Sequence, residues 1–319
     1  MEESLQVNIS LRERLFSPQA IGGLGLAVVF CLFHHFMGGF MLCHLFFAAL
    51  VIALYLVHPA SRQLVLLASP LLLKEVIFDS LRYIPFDWLQ PIHVAQPYLL
   101  ERSLFGVTCG GSLVLINECM MAYASGFGDL LFGLTYHLLE PIAYLSLILL
   151  WKLHSMEKAQ SYATAFLLMN LFAFVTYLFY PAAAPWYVNL HGFAPPVAGI
   201  LGDPAGLSRL DSLLGTSLSA NIYGASPFVF GAIPSMHAGI TMMSLLYFLH
   251  LKKRWSIGMG TYVVVMWVGA LYLQHHYLID VLLGILYALV AYLVVEKCLG
   301  DRVSRGHQWL RKYLDPDAA

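Results

Sequence analysis

Two windows of about twenty residues, Ser161 to Tyr180 and Trp255 to Gln274, contain no Asp, Glu, Lys or Arg. Crossing roughly 30 Å of hydrocarbon at about 1.5 Å per residue takes a helix of that length, because no water is present there to satisfy an open backbone. Similar segments recur. Leu130 to Trp151 carries only Glu140, Ala232 to Leu251 is uncharged apart from its histidines, and Tyr277 to Val295 holds one carboxylate near its start, Asp280. The N-terminal stretch divides near Gly38 and Gly39 into Ala20 to Phe36 and Phe40 to Val57. Leu64 to Ser80 is weaker, since Pro70, Lys74, Glu75 and Asp79 suit a partly buried or tilted span better than a lipid-facing one. With 60% of residues apolar and 11% charged, against roughly 45–50% and about 25% in soluble domains, a soluble globular protein is excluded. The expected fold class is all-α, a polytopic membrane helix bundle of about eight spans with six or seven as alternatives.

Lys and Arg in short loops resist translocation, so their positions set the orientation. With both termini inside, Arg12, Arg14, Arg62, Lys152, Lys158, Lys252, Lys253, Arg254, Lys297, Arg302, Arg305, Arg311 and Lys312 collect on the cytoplasmic side, and Arg82, Arg102 and Arg209 remain opposite. The segment from Pro181 to Phe230 is then extracytoplasmic or lumenal. Rich in Pro and Gly but poor in charge, it is expected to be a structured loop folding back over the membrane face. Pro91 to Gly128 is expected to form amphipathic helices at that same interface. The 17 basic and 18 acidic residues leave a net charge of −1, which points to no nucleic-acid partner. Cys31, Cys43, Cys109, Cys119 and Cys298 show no Cys-x-x-Cys spacing and lie mostly in apolar runs, so free thiols are expected rather than disulfides or a zinc site. The first apolar run passes straight into another without a small-residue cleavage site, so no cleaved signal peptide is expected.

Under this topology three segments distant in sequence meet one membrane face. They are Tyr180-Pro181-Ala182-Ala183-Ala184-Pro185-Trp186, Gly231-Ala232-Ile233-Pro234-Ser235-Met236-His237-Ala238-Gly239, and His275-His276-Tyr277-Leu278-Ile279-Asp280. Pro234 suits a first helical position, and the free amides of the turn that follows bind phosphate. Ser235 adds a hydroxyl and His237 an imidazole within that turn. His276 and Asp280 are four apart and are expected to share a helix face. The carboxylate then fixes the imidazole tautomer and stabilises the cation formed when the other nitrogen attacks an electrophile. A capped interfacial helix and a satisfied His–Asp pair would use the same residues without chemistry. An ionisable Asp280 about one turn inside an apolar span favours a functional reading. His275 points roughly 100° away on the same helix and is at most a supporting residue. His237, His276 and Asp280 are adequate zinc ligands in kind, but they lack a metal-site spacing, and neither a metal nor another cofactor is expected.

In order and residue type, Tyr180 to Trp186, Gly202 to Asp211, Ser226 to Gly239 and His275 to Asp280 resemble the type 2 phosphatidic acid phosphatase superfamily, and more closely its branch of inositol phosphorylceramide synthases. The likeness covers roughly Ser161 to Glu296, and reaches the earlier spans loosely through Phe78 to Tyr83. It implies a helical membrane bundle and a metal-independent double displacement through a phosphohistidine. His276 would be the nucleophile, Asp280 its orienting group, and His237 the acid for the leaving group and then the base for the acceptor. The phosphatase branch has a Lys and an Arg-Pro pair in its first motif and a Ser-Arg pair ahead of its third-motif His. Gly269 and Ala270 stand at the latter positions here. Losing cations that neutralise a phosphate monoester favours a phosphodiester substrate, and hence a transferase. Arg209 is either a phosphate or head-group ligand or a partner of Asp211, and Ser235, Tyr180 and Trp186 are further candidate substrate-binding residues. Long polar tails associated with eukaryotic members are lacking, which points to a prokaryotic cytoplasmic membrane rather than the Golgi.

The resemblance implies a membrane phosphotransferase that moves a phospho-head group, inositol phosphate from phosphatidylinositol, to a lipid hydroxyl such as that of ceramide. A lipid phosphate or lipid pyrophosphate phosphatase using water, and a non-enzymatic transporter or scaffold, are the alternatives. The expected organisation is one integrated membrane domain, with spans and interfacial helices over 1–129, a catalytic core over 130–300 and a cytoplasmic tail over 301–319. Its partners are the bilayer and two lipid substrates, and no particular protein partner is indicated.

Overall fold

The computed structural model describes residues 17–85, 91–196 and 199–314. Arg12 and Arg14, assigned to the cytoplasmic side above, lie outside them. The chain divides into two compact units, one drawn from Met1–Ser69 and Asp301–Ala319, the other from Pro70–Gly300. In the first unit, Ser17 caps α1 (Pro18–Phe36) by accepting the Ala20 N–H at 3.2 Å, and Gly38 at φ +77° takes the left-handed turn that ends it. The helix packs on α2 (Leu42–Val57), and α3 (Pro59–Ser80) follows.

In the second unit, the later part of α3 places Lys74 in the interior, 2.6 Å from Glu140 and 3.1 Å from Glu75. This agrees with a partly buried segment, since a buried ammonium needs carboxylate partners. The interfacial region expected to be helical contains α4 (Ala95–Phe105) and α5 (Ile116–Ala122), but a hairpin of β1 (Val107–Cys109) and β2 (Ser112–Val114) separates them. Gly110 and Gly111, at φ +58° and +82°, make its two-residue turn, which glycine alone adopts freely. The returning chain brings Cys119 to a Cα–Cα separation of 5.9 Å from Cys109, and the two form a disulfide. Free thiols were expected for all five cysteines; the Gly-Gly hairpin between these two supplies the closure that their spacing does not reveal. Cys31, Cys43 and Cys298 are free.

The remaining elements are α6 (Gly126–His137), α7 (Leu139–Leu153), α8 (Met156–Phe179), the short outer helices α9 (Pro185–His191), α10 (Leu207–Leu214) and α11 (Leu218–Gly224), then α12 (Met236–Phe248), α13 (Lys253–Tyr272) and α14 (Leu278–Val294). A π turn over Val295–Leu299 leads into α15 (Gly300–Leu314). The outer loop is therefore built of helices, as its low charge suggested. The span expected over Leu130 to Trp151 is two helices bent by 52°, because Pro141 cannot donate to the carbonyl one turn back. Each apolar segment named from sequence holds a helix. By length and hydropathy, however, three described helices meet the spanning criterion, or four with the bent pair, rather than about eight. Ala20–Phe36, Leu42–Val57 and Met236–Phe248 are apolar but shorter.

Helix α12 is the hub of the second unit and packs on α14, α13, α8 and α7. Its approach to α14 is close because both surfaces are stripped to glycine. A Cβ on Gly284 would lie 2.1 Å from the Ser235 carbonyl oxygen, and one on Gly239 would lie 3.1 Å from the Gly284 oxygen. This contact joins the start of α12, where His237 sits, to the first turns of α14, where Asp280 sits.

Candidate active site

Three extended segments form the floor of the site. His93 donates to Pro181 O, Ala183 to His93 O and Ala182 to Phe230 O at 2.8–2.9 Å, while Ala232 donates to Ala182 O at 3.3 Å. The Tyr180 to Trp186 segment is thereby laid against the chain that enters α12. Ser235 is the N-cap of that helix: its Oγ accepts the Ala238 N–H at 3.3 Å, and its own N–H donates to Asp280 O at 2.9 Å. Pro234 therefore precedes the cap instead of opening the helix, and one Ser235 lone pair is committed to capping.

His276 lies outside α14, in the turn before the N-cap Tyr277, so it shares no helix face with Asp280. The two meet because Asp280, third in the helix, turns its carboxylate back over the cap. Oδ2 accepts the Tyr277 N–H at 2.8 Å and stands 3.5 Å from His276 Nδ1. His276 Nδ1 is also 3.0 Å from the Ala232 carbonyl, which only accepts, so Nδ1 carries the proton and Nε2 keeps its lone pair. That lone pair faces His237 Nδ1 at 3.2 Å. His276 and Asp280 are buried and His237 is half-buried. His237 and Asp280 approach opposite ring nitrogens of His276, an arrangement that does not let the three hold one metal ion.

Aromatic rings wall the site. Tyr136 stacks on His237 with centroids 3.9 Å apart, and its hydroxyl is 3.1 Å from Nδ1. His275 stacks between Tyr136 and Tyr223 and donates from Nε2 to Pro204 O at 3.1 Å, which leaves it in the supporting role expected. Neither Tyr136 nor Tyr223 stands out in the sequence, since a tyrosine in or near an apolar run carries no spacing signal.

The other candidates are placed less centrally. Tyr180 is half-buried and stacks on His93 at 3.9 Å. Trp186 is buried in an apolar cluster with Tyr187, Phe230 and Ala184, and its backbone N–H donates to Gln274 O at 3.0 Å. That side chain packs the floor. Arg209 pairs with Asp129 at 2.7 Å and lies over the Tyr272 ring, leaving Nη2 buried without a protein partner. The Asp211 pairing considered from sequence does not occur. Asp211 instead accepts Ser219 N–H and O–H and Ala220 N–H at 2.9–3.1 Å. Burial pushes its carboxyl up, but these bonds outweigh it and hold the group below its ordinary value.

Glu101 was not singled out from sequence. Fully buried on α4, it accepts the Leu278 and Ile279 N–H groups at 2.9 and 3.0 Å and so caps the helix that carries Asp280. Burial raises its carboxyl above the ordinary range against the pull of those two bonds, and Asp280 adds to the rise.

A profile of the PAP2 superfamily matches residues 117–294, which contain both histidines and Asp280. The chain belongs to the PAP2 superfamily. As a member of that superfamily it is similar to the phosphoinositol dihydroceramide synthase of Bacteroides thetaiotaomicron, 36% identical over 79% of this chain and 83% of the relative. It is also similar to the inositol phosphorylceramide synthase catalytic subunit of Schizosaccharomyces pombe, 30% identical over 78% of this chain, and to the inositol phosphorylceramide synthase of Candida albicans, 31% identical over 73%. The matches span 58% and 48% of those two proteins. No solved structure matches at a significant level.

Proposed function

We propose that this PAP2 superfamily member is an integral membrane phosphotransferase that moves inositol phosphate from phosphatidylinositol to the hydroxyl of a ceramide-type lipid. The observation that carries this reading is His276, held with its proton on Nδ1 by Ala232 O and Asp280 and with the Nε2 lone pair facing His237 Nδ1. In the first step Nε2 attacks phosphorus, the bond to the diacylglycerol oxygen breaks, and His237 gives that oxygen a proton. In the second the acceptor hydroxyl attacks, its proton passes to His237, and the N–P bond breaks. Asp280 stabilises the imidazolium throughout, so acid, base and nucleophile all come from the chain and the reaction needs no metal.

A phosphodiester is favoured over a monoester by what stands where the phosphatase branch has its Ser-Arg pair. A Cβ on Gly269 would press at 3.3 Å on the Phe132 ring, and Ala270 is fully buried with its carbonyl receiving the His275 and His276 N–H groups. Arg209, paired with Asp129 through Nε and with Nη2 unpartnered, is the candidate cation for the head group. The Cys109–Cys119 disulfide and the charge distribution both favour an extracytoplasmic site. Coverage of most of the Bacteroides relative supports a bacterial cytoplasmic membrane.

The test is incubation of purified protein in mixed micelles with labelled phosphatidylinositol and ceramide, without divalent metal. Diacylglycerol and a new phosphosphingolipid in equal amounts are expected. Free inositol phosphate as the sole product would make water the acceptor and the protein a hydrolase.

A further inference from the structure

Tyr136 is a buried polar side chain of the site that the double displacement does not use. Tyr136 is 3% exposed, and it meets His237 in two ways, by a ring stack with 16° between planes and by a hydroxyl 3.1 Å from Nδ1. The same Nδ1 is 3.2 Å from His276 Nε2. Since Nε2 is a lone pair, Nδ1 must carry the proton, and that single N–H lies between two acceptors, the imidazole nitrogen and the phenol oxygen. The Tyr136 hydroxyl adjoins that of Tyr223.

We propose that Tyr136 is a positioning residue that acts through His237, keeping its proton aimed at the alcohol oxygen once phosphorus occupies His276 Nε2. This rests on the phosphotransferase reading above. When a phosphodiester enters, Nδ1–H loses Nε2 as a partner, and the imidazole would be free to turn. The stacked ring fixes its plane and the phenol oxygen fixes its edge. His237 acts as the imidazolium, so after its Nδ1 proton passes to the leaving diacylglycerol oxygen it keeps the hydrogen on Nε2, Nδ1 holds a lone pair, and the Tyr136 O–H rotates to donate to it. The base is thus kept in place for the acceptor hydroxyl, whose proton returns to Nδ1 as the phenol rotates back. No proton leaves Tyr136 at any stage, so the steps balance.

The test compares two donors in the purified full chain. Phosphatidylinositol expels an alkoxide that needs the His237 proton, whereas the 4-nitrophenyl ester of inositol phosphate expels a phenolate that leaves without one. Tyr136→Phe keeps the stack and loses the hydroxyl. Expected is a fall in kcat of roughly ten- to a hundredfold with phosphatidylinositol, an unchanged KM, and a nitrophenol burst of near wild-type rate. Tyr223→Phe, which removes the neighbouring hydroxyl, should show a smaller fall with the same split. Equal losses with both donors, or no loss with either, in protein that unfolds at the wild-type temperature would overturn the proposal. Absence of both burst and turnover in the wild-type protein would remove the phosphohistidine reading itself, and Tyr136 with it.

Discussion

His237 Nδ1 stands 3.2 Å from His276 Nε2, so the two imidazoles close directly on each other. One side of His276 is anchored to Ala232 O and the Asp280 carboxylate, while His237 is held by Tyr136 on a separate helix. In the proposed mechanism, substrate entry replaces this direct nitrogen–nitrogen contact with a bridging phosphate. At rest the proton on His237 Nδ1 lies between the two rings.

His276→Ala should abolish turnover and any acid-labile phosphoprotein formed from labelled donor. Asp280→Asn should stay folded and still form it, with turnover slowed roughly 10²–10⁴-fold. The rate should depend on pH in a bell, because a neutral His276 and a proton on His237 are needed at once. Turnover in purified His276→Ala protein near the wild-type rate would sink the covalent mechanism.

Glu101 ties the outer helix α4 to the helix bearing Asp280 through the Leu278 and Ile279 amides. Its carboxyl is raised on folding by burial, so the folded state binds its proton more tightly than the unfolded state. Its contribution therefore favours folding at low pH and is lost as pH rises through the raised value. Glu101→Gln keeps one acceptor and turns a donor toward an amide, a change expected to cost about 1–3 kcal/mol. Thermal unfolding in micelles from pH 4 to 8, a range set roughly by the carboxyl values, should decline less steeply with pH in the variant than in the wild type. Parallel curves would mean that Glu101 does not titrate in this window.

Reduction of Cys109–Cys119 should loosen α5, whose Asn117 donates to Gln274 Oε1 at 3.2 Å and accepts from Gln274 Nε2 at 2.6 Å just before the two site histidines. A membrane-impermeant reductant followed by an impermeant thiol label, applied from outside intact cells, is expected to mark both cysteines and to slow turnover. Opening a loop of this size removes about 2–3 kcal/mol in the chain-entropy picture. Labelling that requires broken membranes would place the site on the cytoplasmic face.

What could be read from the sequence was local. Uncharged windows such as Ser161 to Tyr180 located the helices, and His237, His276 and Asp280 stood out because their residue types sit where lipid tolerates no idle polar group. Pairings across elements were not legible. Arg209 meets Asp129 rather than nearby Asp211, Glu101 reaches Leu278, and Tyr136 reaches His237. No periodicity encodes these contacts, because they depend on how helices far apart in sequence are docked. Even the i,i+4 spacing of His276 and Asp280 was right for the wrong reason, since a capping carboxylate reaching back over Tyr277 joins them, not a shared helix face.

That docking is itself concentrated at one glycine. Gly284 faces the Ser235 carbonyl so closely that an added Cβ would lie 2.1 Å from its oxygen and 3.2 Å from Gly239 N, both backbone atoms that no rotamer change can move aside. Gly284→Ala gains helix propensity of about 1 kcal/mol in isolation, yet it must push α12 from α14 and stretch the Ser235 N–H bond to Asp280 O. Overpacking of this kind costs about 1–3 kcal/mol, and a shift of about 1 Å at a catalytic pair lowers rates by about a hundredfold. The variant is therefore expected to unfold at lower temperature and to lose kcat well beyond what its stability explains, because the helices that separate carry His237 and Asp280. Gly258→Ala, at a helical position with open space around it, is the matched control and should keep kcat unchanged while unfolding no lower than the wild type. A Gly284→Ala protein with wild-type kcat would show that the chemistry tolerates a wider spacing between the two helices than the present contact allows.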